Sequence, residues 1–173
     1  MNVRDVMSPS SRICCEACGA AGGLAGEFSA LSMTTQVIVQ RLGYAGLIPF
    51  VLLAALLWLV DAALLPFVAI ALGAYAAAIA SFLGGVHWGI GFMQGTQAGR
   101  FHFLWGVTPS LVAWLALVMP AYAALPLLGL LLVACYVVDV KTYPLVGLGD
   151  WLPMRLRLTV VATLSCVLGA AAL

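Results

Sequence analysis

The apolar positions of this chain run in long unbroken stretches rather than in alternation. Residues 42–60, 66–92, 101–119, 121–140 and 153–173 are each almost wholly apolar, and the breaks between them hold Asp61, Gln94, Gly95, Gln97, Arg100, Pro120, Lys141, Gly147 and Asp150. A helix rises about 1.5 Å per residue and needs about 20 residues to cross the bilayer hydrocarbon. The pattern therefore predicts an all-α fold, an integral membrane helical bundle with five transmembrane helices. Barrel strands are excluded, because they would alternate. Pro49 predicts a kink inside the first span, Pro66 suits the first turn of the second, and Pro109 lies near the middle of the third. The length of the second span predicts tilt or an overhang on the cytosolic side. Residues 141–153, with Tyr143, Pro144, Gly147 and Gly149, read as an interfacial connector.

Composition supports the same class. The 173 residues are 65% apolar and 8% charged, with a mean hydropathy of +1.16. A soluble domain would carry about a quarter charged residues. The partner that composition demands is the lipid bilayer, and a net charge of +1 supplies no basic field for nucleic acid. The seven cations are unevenly placed, at Arg4, Arg12 and Arg41, at Arg100, and at Lys141, Arg155 and Arg157. With five spans, all seven fall on one side of the membrane, which the positive-inside rule makes the cytosol. The expected orientation is N-terminus cytosolic and C-terminus outside. A missed or extra span would scatter the cations.

Residues 1–35 differ from the rest and predict a disordered cytosolic tail ahead of a membrane domain over 36–173. No apolar run follows a basic start, so a secretory signal is not expected, and Asp5, Glu16 and Glu27 argue against a mitochondrial transit peptide. Met33, just before the first span, offers an alternative start. Cys14, Cys15 and Cys18 include a C-x-x-C pair that could hold zinc or cycle redox state, but one pair is half a tetrahedral site, and reduced free thiols are the expectation. Cys135 and Cys166 read as small core residues.

Two features of the spans bear on function. Gly73, Ala77, Ser81, Gly85 and Gly89 recur every fourth residue and predict a helix-packing stripe on the second span, against another helix of the chain or of a second protomer. His87 lies about two turns below the cytosolic end of that span, and an ionisable group at such depth is a functional hypothesis by default. Equal depth on the third and fifth spans reaches Thr108, Ser110 and Thr159, with Arg155, Arg157 and Asp139 just above, so these residues and Ser81 are the candidates for a cytosol-facing polar pocket. The structural alternative is a neutral imidazole tying two helices, with the arginines as snorkelling anchors. His102 raises bis-histidine haem ligation but is expected in the wet interface. The five tryptophans suit interfacial belts and packing. No phosphate loop, nucleophile elbow or paired acids appear in the spans, so no catalytic residue and no metal site is expected.

The segments 81–89 (SFLGGVHWG), 108–115 (TPSLVAWL) and 155–159 (RLRLT) resemble the transmembrane protein 69 family, small multi-span proteins of bacteria and mitochondria with a domain of unknown function. The likeness covers about 42–173. It implies a bacterial inner membrane or mitochondrial inner membrane location and brings no activity with it. The expected function is a non-enzymatic bundle that packs with, or assists assembly of, a larger membrane complex or a homo-oligomer. The alternative is a small-ligand binding or transport protein, for a quinone, haem or proton-coupled solute, built around His87. No cofactor is expected under the first reading.

Overall fold

The computed structural model describes residues 37–95 and 99–173. Residues 1–35, with Cys14, Cys15 and Cys18, lie outside the described residues. The chain divides into two units, Met1–Leu42 and Gly43–Leu173. Of the first, residues 37–42 are described and are helical. The second contains α1 (Ile48–Leu59), α2 (Leu65–Gln94), α3 (Arg100–Leu117), α4 (Ala121–Thr142) and α5 (Leu152–Ala171), with short 3-10 turns at Pro144–Val146 and Gly149–Trp151. Among the described residues there is no strand.

Among the described residues, four helical stretches are long and apolar enough to cross a membrane: Val37–Leu59, Leu65–Gln94, Ala121–Thr142 and Gly149–Ala171. The second, fourth and fifth expected spans thus appear within a few residues of their predicted ends. α3 falls outside these four, because its 18 residues include Arg100, His102, Thr108 and Ser110. The first span is interrupted near Pro49. A turn at Gly46 and Leu47 interrupts the helix just before Pro49, so the expected kink is a full break, with Pro49 in the first turn of α1, where its missing N–H is harmless. Tyr75 on α2 fixes this break, donating its hydroxyl to the Gly46 carbonyl at 2.8 Å while its ring meets Phe50 edge-on at 5.0 Å.

Burial of apolar surface gains little between helices already in hydrocarbon, so packing there depends on close approach. The interior is accordingly rich in alanine, with Ala69, Ala76, Ala77, Ala80, Ala113, Ala116 and Ala162 buried among Leu57, Leu72, Leu125, Leu128 and Leu132. Gly169 on α5 receives leucines from three helices. A Cβ there would stand 2.6 Å from Leu72, 3.0 Å from Leu57 and 3.5 Å from Leu125.

Within the chain, only part of the expected stripe on α2 is packed. Gly73 and Ala77 are buried, Ser81 is half-buried, and Gly85 and Gly89 are exposed. Among the described residues nothing lies within 4 Å of a Cβ built on Gly85 or Gly89. The cause is helical geometry: a four-residue step turns about 400°, so each step drifts about 40° and five positions cannot share a face. The contact face follows mixed steps of three and four through Gly73, Ala76, Ala80, Gly84, His87 and Gly91, all buried. Its tightest point is the crossing with α3, where a Cβ on Gly84 would overlap the Gly106 carbonyl oxygen. Trp88 covers Gly106 and donates its indole N–H to the Phe103 carbonyl at 3.0 Å.

Gly84→Ala must therefore separate two backbones and should cost about 1–3 kcal/mol of stability. Gly85→Ala meets open space and should be neutral or slightly stabilising through helix propensity. Heat-aggregation midpoints of the two purified variants check this, and equal midpoints would contradict the crossing.

Candidate functional site

His87, one of two histidines in the chain, is 1% exposed. Its Nε2 lies 3.1 Å from Oδ1 of Asp139 on α4, also 1% exposed. The other carboxylate oxygen, Oδ2, accepts from Arg155 on α5, through Nε at 3.0 Å and through a second guanidinium nitrogen. On the opposite side of the imidazole, Nδ1 of His87 lies 3.2 Å from Nδ1 of His102 on α3, and the two rings stack at 5.5 Å. One side chain from each of four helices thus joins a single line, His102, His87, Asp139, Arg155. Among the described residues no buried side-chain nitrogen or oxygen lacks a partner.

Local structure explains how the line closes. The pairings Gly84 with Gly106 and Gly91 with Phe103 make α2 and α3 an antiparallel hairpin. His87 is eight residues before Gly95 and His102 seven after it, which places them at one height. Between α4 and α5 the chain turns tightly. The Tyr143 carbonyl accepts from the amides of Val146 and Leu148, and Gly147 takes a left-handed conformation, φ 75°, that a side chain would disfavour. This returns Arg155 to Asp139. Deeper in the bundle the Thr163 hydroxyl donates to the Gly129 carbonyl at 3.3 Å and keeps the two helices together.

Charge sets the roles within the line. Asp139 against Arg155 is an ion pair buried on its carboxylate side, a state that persists only when charge and hydrogen bonds are matched. With Asp139 ionised, its Oδ1 accepts from the Nε2–H of His87. The Nδ1 of His87 then accepts from the Nδ1–H of His102, and Nε2 of His102 is left as the free basic nitrogen. Tyr143 stands beside the line with its ring 6.3 Å from that of His87. Burial, and then the Asp139 carboxylate, push its phenol up to about 12, so it keeps its proton.

Of the residues picked out by depth, the structure gathers His87, Asp139 and Arg155. Thr159, one turn inward of Arg155 on the same face, is buried, while Ser81 and Ser110 are half-buried and outside the hydrogen-bonded line. Thr108 and Arg157 do not join it. Thr108 is exposed and donates to the Leu104 carbonyl of its own helix at 3.0 Å. Arg157 is exposed and reaches the Tyr44 hydroxyl at 3.3 Å. The reason is angular: two residues turn a helix by about 200° and six by about 240°, so equal depth does not mean equal face. His102, half-buried in the first turn of α3, is also a member of the line. Folding the hairpin at Gly95, rather than counting inward from each span end, would have found it. His87, His102 and Asp139 do not form a metal-binding group, and none of three or more such ligands occurs among the described residues.

Apolar helices around a buried ionisable line define a multi-pass α-helical membrane protein. The chain belongs to the transmembrane protein 69-like family, described as "Protein of unknown function (DUF3429)", which matches residues 35–171. It is 40% identical over 134 residues to Transmembrane protein 69 of Xenopus tropicalis, a match covering 73% of this chain and 51% of that protein. The chain thus spans about half the length of the curated relative it matches. No solved structure matches the chain.

Removing one member of the buried ion pair should cost far more than its net worth. Arg155→Met or Asp139→Leu alone should lose about 3–5 kcal/mol, because each strands the opposite charge, while the double variant should recover much of that loss. Arg157→Met, on an exposed side chain, should change little. Thermal midpoints of the four variants in one detergent form the check.

Proposed function

We propose that the protein is a five-span membrane bundle, N-terminus cytosolic and C-terminus outside, that binds or carries a small ligand or proton at the centre formed by His102, His87, Asp139 and Arg155. The observation that carries this reading is that four ionisable side chains from four helices meet in one buried line. A tie between helices alone would be met by hydroxyl or amide pairs. Burying an ion costs several kcal/mol even after relaxation, and such groups are retained in spans chiefly where charge or protons are handled. The end of the bundle at which α2 and α4 stop and α3 and α5 start also carries Arg100, Lys141 and Arg157, which supports placing it at the cytosol. On this reading the membrane is a bacterial inner or mitochondrial inner membrane.

A second reading, packing with or assisting assembly of a larger complex, is favoured by one observation. The Gly85 and Gly89 side of α2 is small, exposed and unfilled, a surface on which another helix could approach closely.

Two substitutions at His87 separate these readings. His87→Gln keeps donor and acceptor groups and should retain most of the stability, whereas His87→Leu strands its partners and should cost about 1–3 kcal/mol. If the centre handles a ligand or proton, Gln should nonetheless fail to rescue a deletion strain, since an amide does not titrate near neutrality. Full rescue by Gln would leave the assembly reading. Reporter fusions after Leu173 test the orientation, and a cytosolic signal there would overturn it.

A further inference from the structure

We infer that the ligand of this centre is a proton, and that it reaches and leaves buried His87 through the ring of His102. The inference rests on reading the line as a ligand or proton centre and adds the ligand and the route. Of the four members, His87 and Asp139 are each 1% exposed, while His102 is half-buried in the first turn of α3. Arg155 is also partly accessible, but a guanidinium has no lone pair to offer and stays charged. His102 is therefore the member of the line that both meets the outside and can accept. Its imidazole offers Nε2 as the basic atom, and its Nδ1–H already points along a 3.2 Å hydrogen bond to the acceptor nitrogen of His87.

The transfer balances without any other reagent. A proton adds to Nε2 of His102, the Nδ1 proton of the same ring passes to Nδ1 of His87, and His102 is left neutral with its proton on Nε2. His87 becomes an imidazolium whose Nε2–H still donates to Asp139, so the added charge rests against a carboxylate. Release reverses these steps. No bond between heavy atoms forms or breaks.

The surroundings of His87 match this use. From α3 it faces His102, and from α4 Asp139, with Cys135 one turn inward of that carboxylate. Arg155 from α5 acts on it through Asp139, and Tyr143, at the end of α4, holds its own proton. α1 packs elsewhere on the bundle and contains no titratable side chain. The stacked rings, 5.5 Å apart with Nδ1 facing Nδ1, form one hydrogen-bonded pair, and a second proton would place two cations in contact.

The full chain, labelled with nitrogen-15 histidine and reconstituted in detergent, gives signals from two residues only. Titration from about pH 8 to about pH 5 spans the ordinary histidine range. In the wild type the nitrogen shifts of both rings should move together in one step. In His102→Gln, where an amide N–H can still donate to His87, exchange of the His87 ring proton with water, read from its nitrogen line width, should slow several-fold while elution and helix content stay unchanged. A wild type in which His102 moves alone, or neither ring moves, overturns the inference without needing any variant to fold. Exchange at His87 that keeps its wild-type rate in His102→Gln overturns the route. Each of these results is separate from the fate of the underlying reading, which stands or falls on rescue by His87→Gln.

Discussion

An ionised side chain inside a bilayer must meet its opposite there, and the pairing of Arg155 with Asp139 is the contact around which the rest is arranged. A carboxylate alone at that depth would cost several kcal/mol, and so would a guanidinium alone. Together they form a neutral, hydrogen-bonded unit that leaves one carboxylate oxygen free to receive His87. The tight turn at Gly147 and the contact of Thr163 with Gly129 bring the two helices into the register this pair requires. A chain with 8% charged residues has thus joined an acid and a cation in one line with both of its histidines.

Close backbone approach does the complementary work. Because lipid tails are as apolar as leucine, helices gain little by hiding leucine from them. Gly84 over Gly106, with Trp88 laid across the crossing, lets α2 and α3 approach closely enough for two imidazoles to share a hydrogen bond. The leucine-rich interior at the other end fills space around Gly169 and sets no comparable polar geometry.

Much of this was legible in the chain, because hydrocarbon imposes one rule over about 20 residues at a time. The extents of α2, α4 and α5 followed from apolar runs and flanking prolines. The depth argument found His87, Asp139, Arg155 and Thr159, because all lie near the same end of their helices. It could not tell Arg155 from Arg157, or Ser110 and Thr108 from His102, since facing depends on rotation about each axis and rotation is set by packing. The stripe divides for a related reason: a period of four is not a period of 3.6, so Gly73 and Ala77 turn into the chain while Gly85 and Gly89 turn out of it. Pro49 marks the break before α1, but not its anchor: the Tyr75 hydroxyl that bonds the Gly46 carbonyl lies 29 residues away in sequence.

The separation of Asp139 and Arg155 by 16 residues also bears on biogenesis. A chain is made from its N-terminus, so α4 is synthesised with its aspartate before the helix that neutralises it exists. Until α5 arrives, the last turns of α4 are poorly suited to hydrocarbon and are better kept at the interface or shielded by the insertion machinery. α5 therefore acts as a lock on α4. A nascent chain interrupted within the turn that follows α4 would carry an uncompensated acid, a mark by which quality control could distinguish unfinished molecules from complete ones.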